Sequence, residues 1–350
     1  MVNAGEVSAI NSYVFGGISI CLNSFLISVI CYRSVEVMGS YKYMMITSAI
    51  LDLLFSALFI VACPTFAAME KLSSLLIVKG GIPLPMSWAR LTLIFFIFLL
   101  CQSIVTPPCL FVFRYLQICK TKFLAQHYRS LRYLLILPLF ISSSSCALMC
   151  FAAWPTQFDL AYFQGIAMKI HVQRNATFLV AMLKVGSFSY EELMESNCSN
   201  EKGFDSPFNI VQSKTMLITS IYLIIMMVSA LSIMLYCTKR IMIAARAGSN
   251  EKTRKLQMQL YKTLIAQFLI PFIFIHIPFY FSVLAPLFTL NTGWFSNYLP
   301  FLFAWCPAIN PFVVICFISD YRKYVWRKFR RVKEEHSLTI SMFQNTTQRR

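Results

Sequence analysis

The sequence predicts an all-α membrane protein: a bundle of seven transmembrane helices, N-terminus outside and C-terminus inside. Three observations carry that expectation. Hydrophobic residues make up 58% of the chain and charged residues 13%, against about 25% charged in a soluble domain. Apolar stretches of about 20 residues, enough to cross a bilayer, recur along almost all of the 350 residues. Most Lys and Arg collect in alternate connecting segments, as the positive-inside rule requires.

The elements follow in order. The first ten residues carry one charge, Glu6, and a span over 12–32 is followed by Arg33 and Lys42. Positive charge on the C-terminal side alone sends the N-terminus out. The segment is too long for a signal-peptide core and lacks a basic leader, so it reads as an uncleaved anchor. Span two covers 41–63 and stops at Pro64. A loop with Lys71, Lys79 and the turn Gly80-Gly81-Ile82-Pro83 leads to span three at 89–119. Span four covers 132–154. The long polar segment after it holds the sequons beginning at Asn175 and Asn197, which suit glycosylation of a lumenal loop. Span five covers 214–237, and a basic connector leads to span six at 257–285 and span seven at 298–318. The seven-span domain is therefore 1–318. The tail, 319–350, is basic and cytoplasmic, helical at first and then disordered.

The net charge of +17 is an orientation signal and not a nucleic-acid footprint. It gathers at Lys120–Arg132, Lys239–Lys262 and Arg322–Arg350, while outer-side bases are balanced by acids such as Glu6, Glu70, Glu191 and Glu195. Twelve cysteines lie mostly inside apolar spans, where they behave as small hydrophobes. Cys198 alone is clearly extracellular and Cys63 ends a span. A Cys63–Cys198 disulfide and a free Cys198 both fit.

Catalysis is not indicated. The chain has no His-Glu-x-x-His, no Gly-rich phosphate loop and no Cys-x-x-Cys, and its four histidines are scattered. Nothing in it calls for a cofactor or a metal. Asp52 is the acid deep within a span, which makes it a functional-site hypothesis. Asn23 and Asn310-Pro311 sit at similar depth, so the four form a candidate network that is either a switch or a packing staple. Pro107-Pro108 must bend span three, and Pro271 and Pro278 interrupt span six. Outward of these breaks, Phe95, Phe98, Gln102, Tyr222, His276, Tyr280 and Trp305 compose a candidate aromatic ligand pocket. On the inner face, Arg114 and Tyr115 with the basic loops offer a partner surface. The aromatic-basic stretch Tyr321–Arg331 fits a helix lying on anionic lipid.

Phe-Arg-Tyr at 113–115 within seven spans resembles a G-protein-coupled receptor. More narrowly, FRYLQIC at 113–119, LQMQLYKTLIAQFLIPFIFIHIP at 256–278 and NPFVVICFISDYRK at 310–323 resemble the nematode serpentine chemoreceptors of the Str superfamily. The resemblance implies chemosensory signalling: an odorant-like small molecule bound in the outer half of the bundle, and a heterotrimeric G protein coupled through Arg114 and Tyr115. It also implies a plasma-membrane, multi-pass protein of sensory-neuron cilia. Rhodopsin-like receptors are more loosely similar, through Asn23, Asp52 and Asn310-Pro311. Departures from their pattern are Phe113 in place of an acid before the arginine, Val314 in place of a tyrosine, and no cysteine at the outer start of span three. The alternative class is a ligand-gated channel or transporter with Asp52 and His276 on a permeation path. An inverted-topology receptor channel conflicts with the basic tail.

Overall fold

The computed structural model describes residues 4–32, 41–69, 74–126, 133–155, 177–182, 207–246, 251–284, 293–328 and 330. Asn175, Asn197 and Cys198 lie outside the described residues, so the sequons and the Cys63–Cys198 pairing are not addressed by it.

Seven helical spans form the bundle. They are α1 (Ala4–Tyr32), α2 (Tyr41–Ala62), α3 (Met86–Cys119), α5 (Tyr133–Ala152), α6 (Pro207–Arg246), a broken sixth, and α10 (Leu299–Phe317); α4 (Thr121–Gln126) is a short turn between α3 and α5. The broken span runs α7 (Glu251–Pro271), a π-helical turn over Phe272–His276, then α8 (Ile277–Leu284); α9 (Gly293–Ser296) follows. Six spans are long and apolar enough to cross a membrane; the seventh, in α5, has a shorter apolar part, Ile136–Ala152.

Several helices outrun the spans expected of them, α1 by eight residues at its start and the fifth and sixth at their inner ends. At 40 residues, α6 extends about 60 Å at 1.5 Å per residue, twice a hydrocarbon core. Its inner turns, with α7 from Glu251, convert much of the basic connector into helix. Glu251 and Lys255 pair at 2.6 Å across one turn, both well exposed, a contact that contributes a few tenths of a kcal/mol.

One element has no counterpart in the sequence reading. Three five-residue strands, β1 (Thr65–Met69), β2 (Ser74–Val78) and β3 (Phe178–Met182), form an antiparallel sheet in that order. Phe66 stands opposite Ile77 and Ile77 opposite Leu179. The sheet caps the end of the bundle that charge asymmetry assigns to the outside, and its apolar face joins the core through Phe66, Leu75, Ile77 and Leu179.

The core has two storeys. The outer one is built on Phe55, Phe59, Phe66, Phe96 and Phe303, with ring centroids 5.5 to 6.4 Å apart across α2, α3, α10 and β1. The inner one gathers Leu26, Ile30, Phe111, Phe113, Val314 and Tyr321. The two residues that depart from the rhodopsin-like pattern, Phe113 and Val314, are thus inner-core packing residues, 5% and 0% exposed.

Candidate ligand cavity and inner-face clamp

Prolines shape the site by orphaning carbonyls. Pro311 has no N–H for the carbonyl of Pro307, four residues earlier. Asn23 of α1 supplies the missing donor: its Nδ2 reaches the Pro307 oxygen at 2.9 Å. Pro107 leaves the Ser103 carbonyl free in the same way, and His276 pairs with the Ser103 backbone. The His276 Nε2 also stands 3.5 Å from the Ser103 hydroxyl. The π turn after Pro271 carries His276, so the irregularity in the sixth span is what delivers the ring to the break in the third.

Between these breaks lies a cavity of about 60 Å³. Its walls include Ser48 and Asp52 of α2, Gln102, Ser103 and Thr106 of α3, Gln267 of α7, and Cys306 and Asn310 of α10. Asn310 Nδ2 donates to Asp52 Oδ2 at 2.5 Å. From Asp52 the polar chain continues outward. The Ser56 hydroxyl donates to the Asp52 carbonyl at 2.8 Å and lies 2.6 Å from the Ser19 hydroxyl, which Asn23 Nδ2 contacts at 3.1 Å. Asn23, Asp52, Asn310 and Pro311 therefore sit in one connected region, joined through two serines that sequence reasoning missed. The i, i+4 recurrence of Ser48/Asp52/Ser56 and Gln102/Thr106 was the available signal.

The aromatic set is scattered by comparison. Gln102 alone of the seven lines the cavity. His276 is buried beside it. Phe98 and Tyr222 are half-buried against the outer core, and Tyr280 donates its hydroxyl to the Leu223 carbonyl at 3.4 Å. Trp305 donates Nε1 to Asn11 Oδ1 at 3.2 Å and packs on Phe15, on the α1 side. Phe95, 51% exposed, faces out of the bundle.

At the inner end Arg114 is 1% exposed. Its guanidinium donates to Gln117 Oε1 at 2.7 Å and to Gln257 Oε1 of α7. Both are neutral acceptors, and the position just before the arginine, acidic in the rhodopsin-like pattern, is the buried Phe113. Tyr115 meets Tyr236 of α6 edge-on at 6.1 Å. Two residues along α7, Gln259 donates Nε2 to the Ser319 hydroxyl at 2.7 Å and accepts from the Ser319 N–H at 3.3 Å. The first turns of α7 thereby hold α3 through one face and the start of the helical residues 319–328 through the other. Of those, Tyr321 is buried while Trp326, Arg327 and Lys328 are exposed.

At the outer end Lys79 is 3% exposed, and its ammonium donates to the carbonyls of Gly80 and Ile82 at 2.9 and 2.5 Å. Burial holds its pKa below the ordinary lysine value, against a smaller opposing pull from Cys63. Gly81, at φ +61°, fits beside Cys63.

A seven-helix bundle broken by prolines around a polar mid-membrane cavity, with a buried arginine at its inner end, is the fold of the rhodopsin-type receptors. Squid rhodopsin superposes with a TM-score of 0.55 over 95% of this chain and 87% of that one, at 16% identity. The family model for the serpentine type 7TM GPCR chemoreceptor Str matches residues 8–326, and the chain belongs to that family. The G-protein coupled receptor str-33 of Caenorhabditis elegans is 23% identical over 330 residues, 92% of this chain and 90% of that receptor. Serpentine receptor class r-10 of Caenorhabditis briggsae is 35% identical over 96 residues, 26% of this chain and 28% of that receptor's length. The protein is a multi-pass membrane protein and a GPCR-type chemoreceptor.

Proposed function

We propose that this receptor binds a small odorant-like ligand within the bundle and, on binding, activates a heterotrimeric G protein at the plasma membrane of a sensory cilium. The observation that carries the reading is the cavity's position. It is walled by α2, α3, α7 and α10 at the level of Pro107, Pro271 and Pro307, so a molecule seated there touches the points where three helices lose a backbone hydrogen bond to proline. A ligand shifts a conformational equilibrium only through its differential affinity for the two states, and contacts at the breaks differ most between them. On this reading the ligand sits deeper than the outer-half pocket expected from sequence.

Coupling runs through the inner end. Opening α7 away from α3 parts Gln257 from Arg114 and frees the guanidinium for the G-protein α-subunit. A permeation path through Asp52 is disfavoured by the apolar wall inward of it, where Leu110 and Leu264 line the cavity floor and Phe111 and Phe113 fill the storey below.

The test is a volatile and small-molecule panel on cells expressing the receptor, with calcium or cyclic-nucleotide readout and a G-protein inhibitor arm. Ser103→Leu, which fills the cavity, is expected to abolish the response at normal surface expression. Arg114→Ala is expected to keep ligand binding and lose coupling. A ligand-evoked current that survives G-protein inhibition would replace this reading with the channel.

A further inference from the structure

The cavity wall specifies the chemistry of its occupant. Asp52 brings a carboxylate, and no Lys or Arg is among the lining residues. Around Asp52, Gln102 and Ser103 the hydrogen-bond donors of the wall are spent within it, which leaves the Ser48 hydroxyl and the Gln267 amide, also in the lining, as its remaining donors. Asn310 Nδ2 is given to Asp52, Gln102 Nε2 to the Thr106 hydroxyl at 3.0 Å, Thr106 to the Gln102 carbonyl at 2.8 Å, and Ser103 to the Leu100 carbonyl at 2.7 Å. The acceptors are not spent. Gln102 Oε1 and Asn310 Oδ1 have no hydrogen-bond partner, although their side chains are 5% and 4% exposed. Neither orientation is arbitrary: the Thr106 hydroxyl is already committed as a donor, so Gln102 must present N–H to it, and Asn310 must present N–H to a carboxylate. Buried amide oxygens without donors are left desolvated and uncompensated, and a membrane-embedded carboxylate calls for a positive partner.

The rest of the wall is apolar, with Leu51, Phe55, Leu99, Leu110, Leu264 and Ile275. An occupant therefore needs a cationic, donor-only head and a short apolar body. A cavity of about 60 Å³, at about 10–15 Å³ for each water-sized position, holds about four to six non-hydrogen atoms.

We propose that the cavity selects a small aliphatic amine in its ammonium form. Its three N–H donors are shared among the Asp52 carboxylate, Gln102 Oε1 and Asn310 Oδ1, and its alkyl chain lies against Leu99, Leu264 and Ile275. A ketone or ester of the same size brings only acceptors, which Ser48 or Gln267 can meet but which leave Asp52, Gln102 Oε1 and Asn310 Oδ1 without a donor. An alcohol brings one donor where three are wanted. The inference rests on the cavity being the ligand site.

The experiment measures thermal shift on the full-length receptor in nanodiscs at neutral pH with n-butylamine, 1-butanol and 2-butanone, each titrated in choline chloride buffer. Butylamine is expected to raise Tm with half-saturation at least about tenfold below the other two, a difference of about 1.4 kcal/mol. That preference should collapse in Asp52→Asn. The wild-type ranking alone decides the matter should that variant fail to fold. Equal or stronger stabilisation by 2-butanone, amine binding undiminished in a folded Asp52→Asn receptor, or stabilisation by sodium chloride alone with none by the amine would each overturn the amine assignment. Ser103→Leu separates the two layers. If it removes stabilisation by neutral compounds as well, the cavity stands as the site whatever class it prefers. If butylamine stabilises Ser103→Leu as well as wild type, the cavity is not its site and both readings fall.

Discussion

Replacing Gln257 by leucine tests the inner-face clamp. Arg114 is 1% exposed and Gln257 is its acceptor from α7, with Gln117 on its own helix. A hydrogen bond to a charged group contributes about 1.5–3 kcal/mol. The leucine removes that contribution from the closed arrangement and leaves the open one, where Gln257 and Arg114 are apart, largely untouched. The equilibrium should then shift by roughly 12- to 160-fold toward opening. A receptor open about 1% of the time without ligand would rise to between about 10% and 60%. The assay is ligand-free GTPγS loading in membranes matched for surface expression. Gln257→Glu, which offers the arginine a carboxylate, should move basal loading the other way. Basal loading that is unchanged or lower in Gln257→Leu, with the ligand response intact, would refute the idea that this contact restrains activation.

Three further outcomes follow from the geometry. Gly81→Ala must place a Cβ 2.7 Å from Cys63 Sγ at φ +61°; left-handed backbone alone costs about 1–2 kcal/mol, so the variant should melt measurably lower than wild type in a thermal-shift assay. Phe303→Ala empties the centre of the outer ring cluster, where Phe303 is 0% exposed, and should cost about 3–5 kcal/mol, read as loss of surface-delivered receptor. Lys79 has a native pKa below its unfolded value of 10.5. The unfolded chain therefore binds more protons between those two values, and Lys79 makes stability rise with pH across that window. Lys79→Met should flatten the rise, seen as a smaller gain in Tm from neutral toward pH 10 than wild type shows.

The helical architecture was readable because a bilayer imposes a coarse and repetitive constraint, and 20 apolar residues announce themselves against Arg33, Lys42 or Lys239. The sheet was not. Segments such as Ser74–Val78 and Phe178–Met182 are five residues long and flanked by polar loop, and their pairing joins residues about 100 positions apart, which no local pattern reports. The same locality explains the site. Asp52, Asn23 and Asn310-Pro311 stood out as polar groups in apolar surroundings, but the serines that join them are common in spans and carry no such contrast. The aromatic set rested on depth alone. Depth does not say which way a side chain turns, so Phe95, two turns outward of Gln102 on α3, and Trp305 of α10 point elsewhere. The pairing of Arg114 with a glutamine of α7 was out of reach for a related reason, since it depends on helix rotation about an axis bent by Pro271.

The strand cap and the phenylalanine layer beneath it bear on how stimuli arrive. With the ligand site as proposed, paired strands and the rings of Phe66, Phe96 and Phe303 stand on the outer side of the cavity, which favours entry from the lipid, between helices. For a stimulus that enters by that side route, the concentration to be sensed is that of the membrane. Each added methylene enriches a compound there by about 0.8 kcal/mol, close to fourfold. Potency along a homologous series should climb with chain length until the molecule outgrows its chamber, so this receptor would weigh greasiness and size before head-group chemistry is ever consulted.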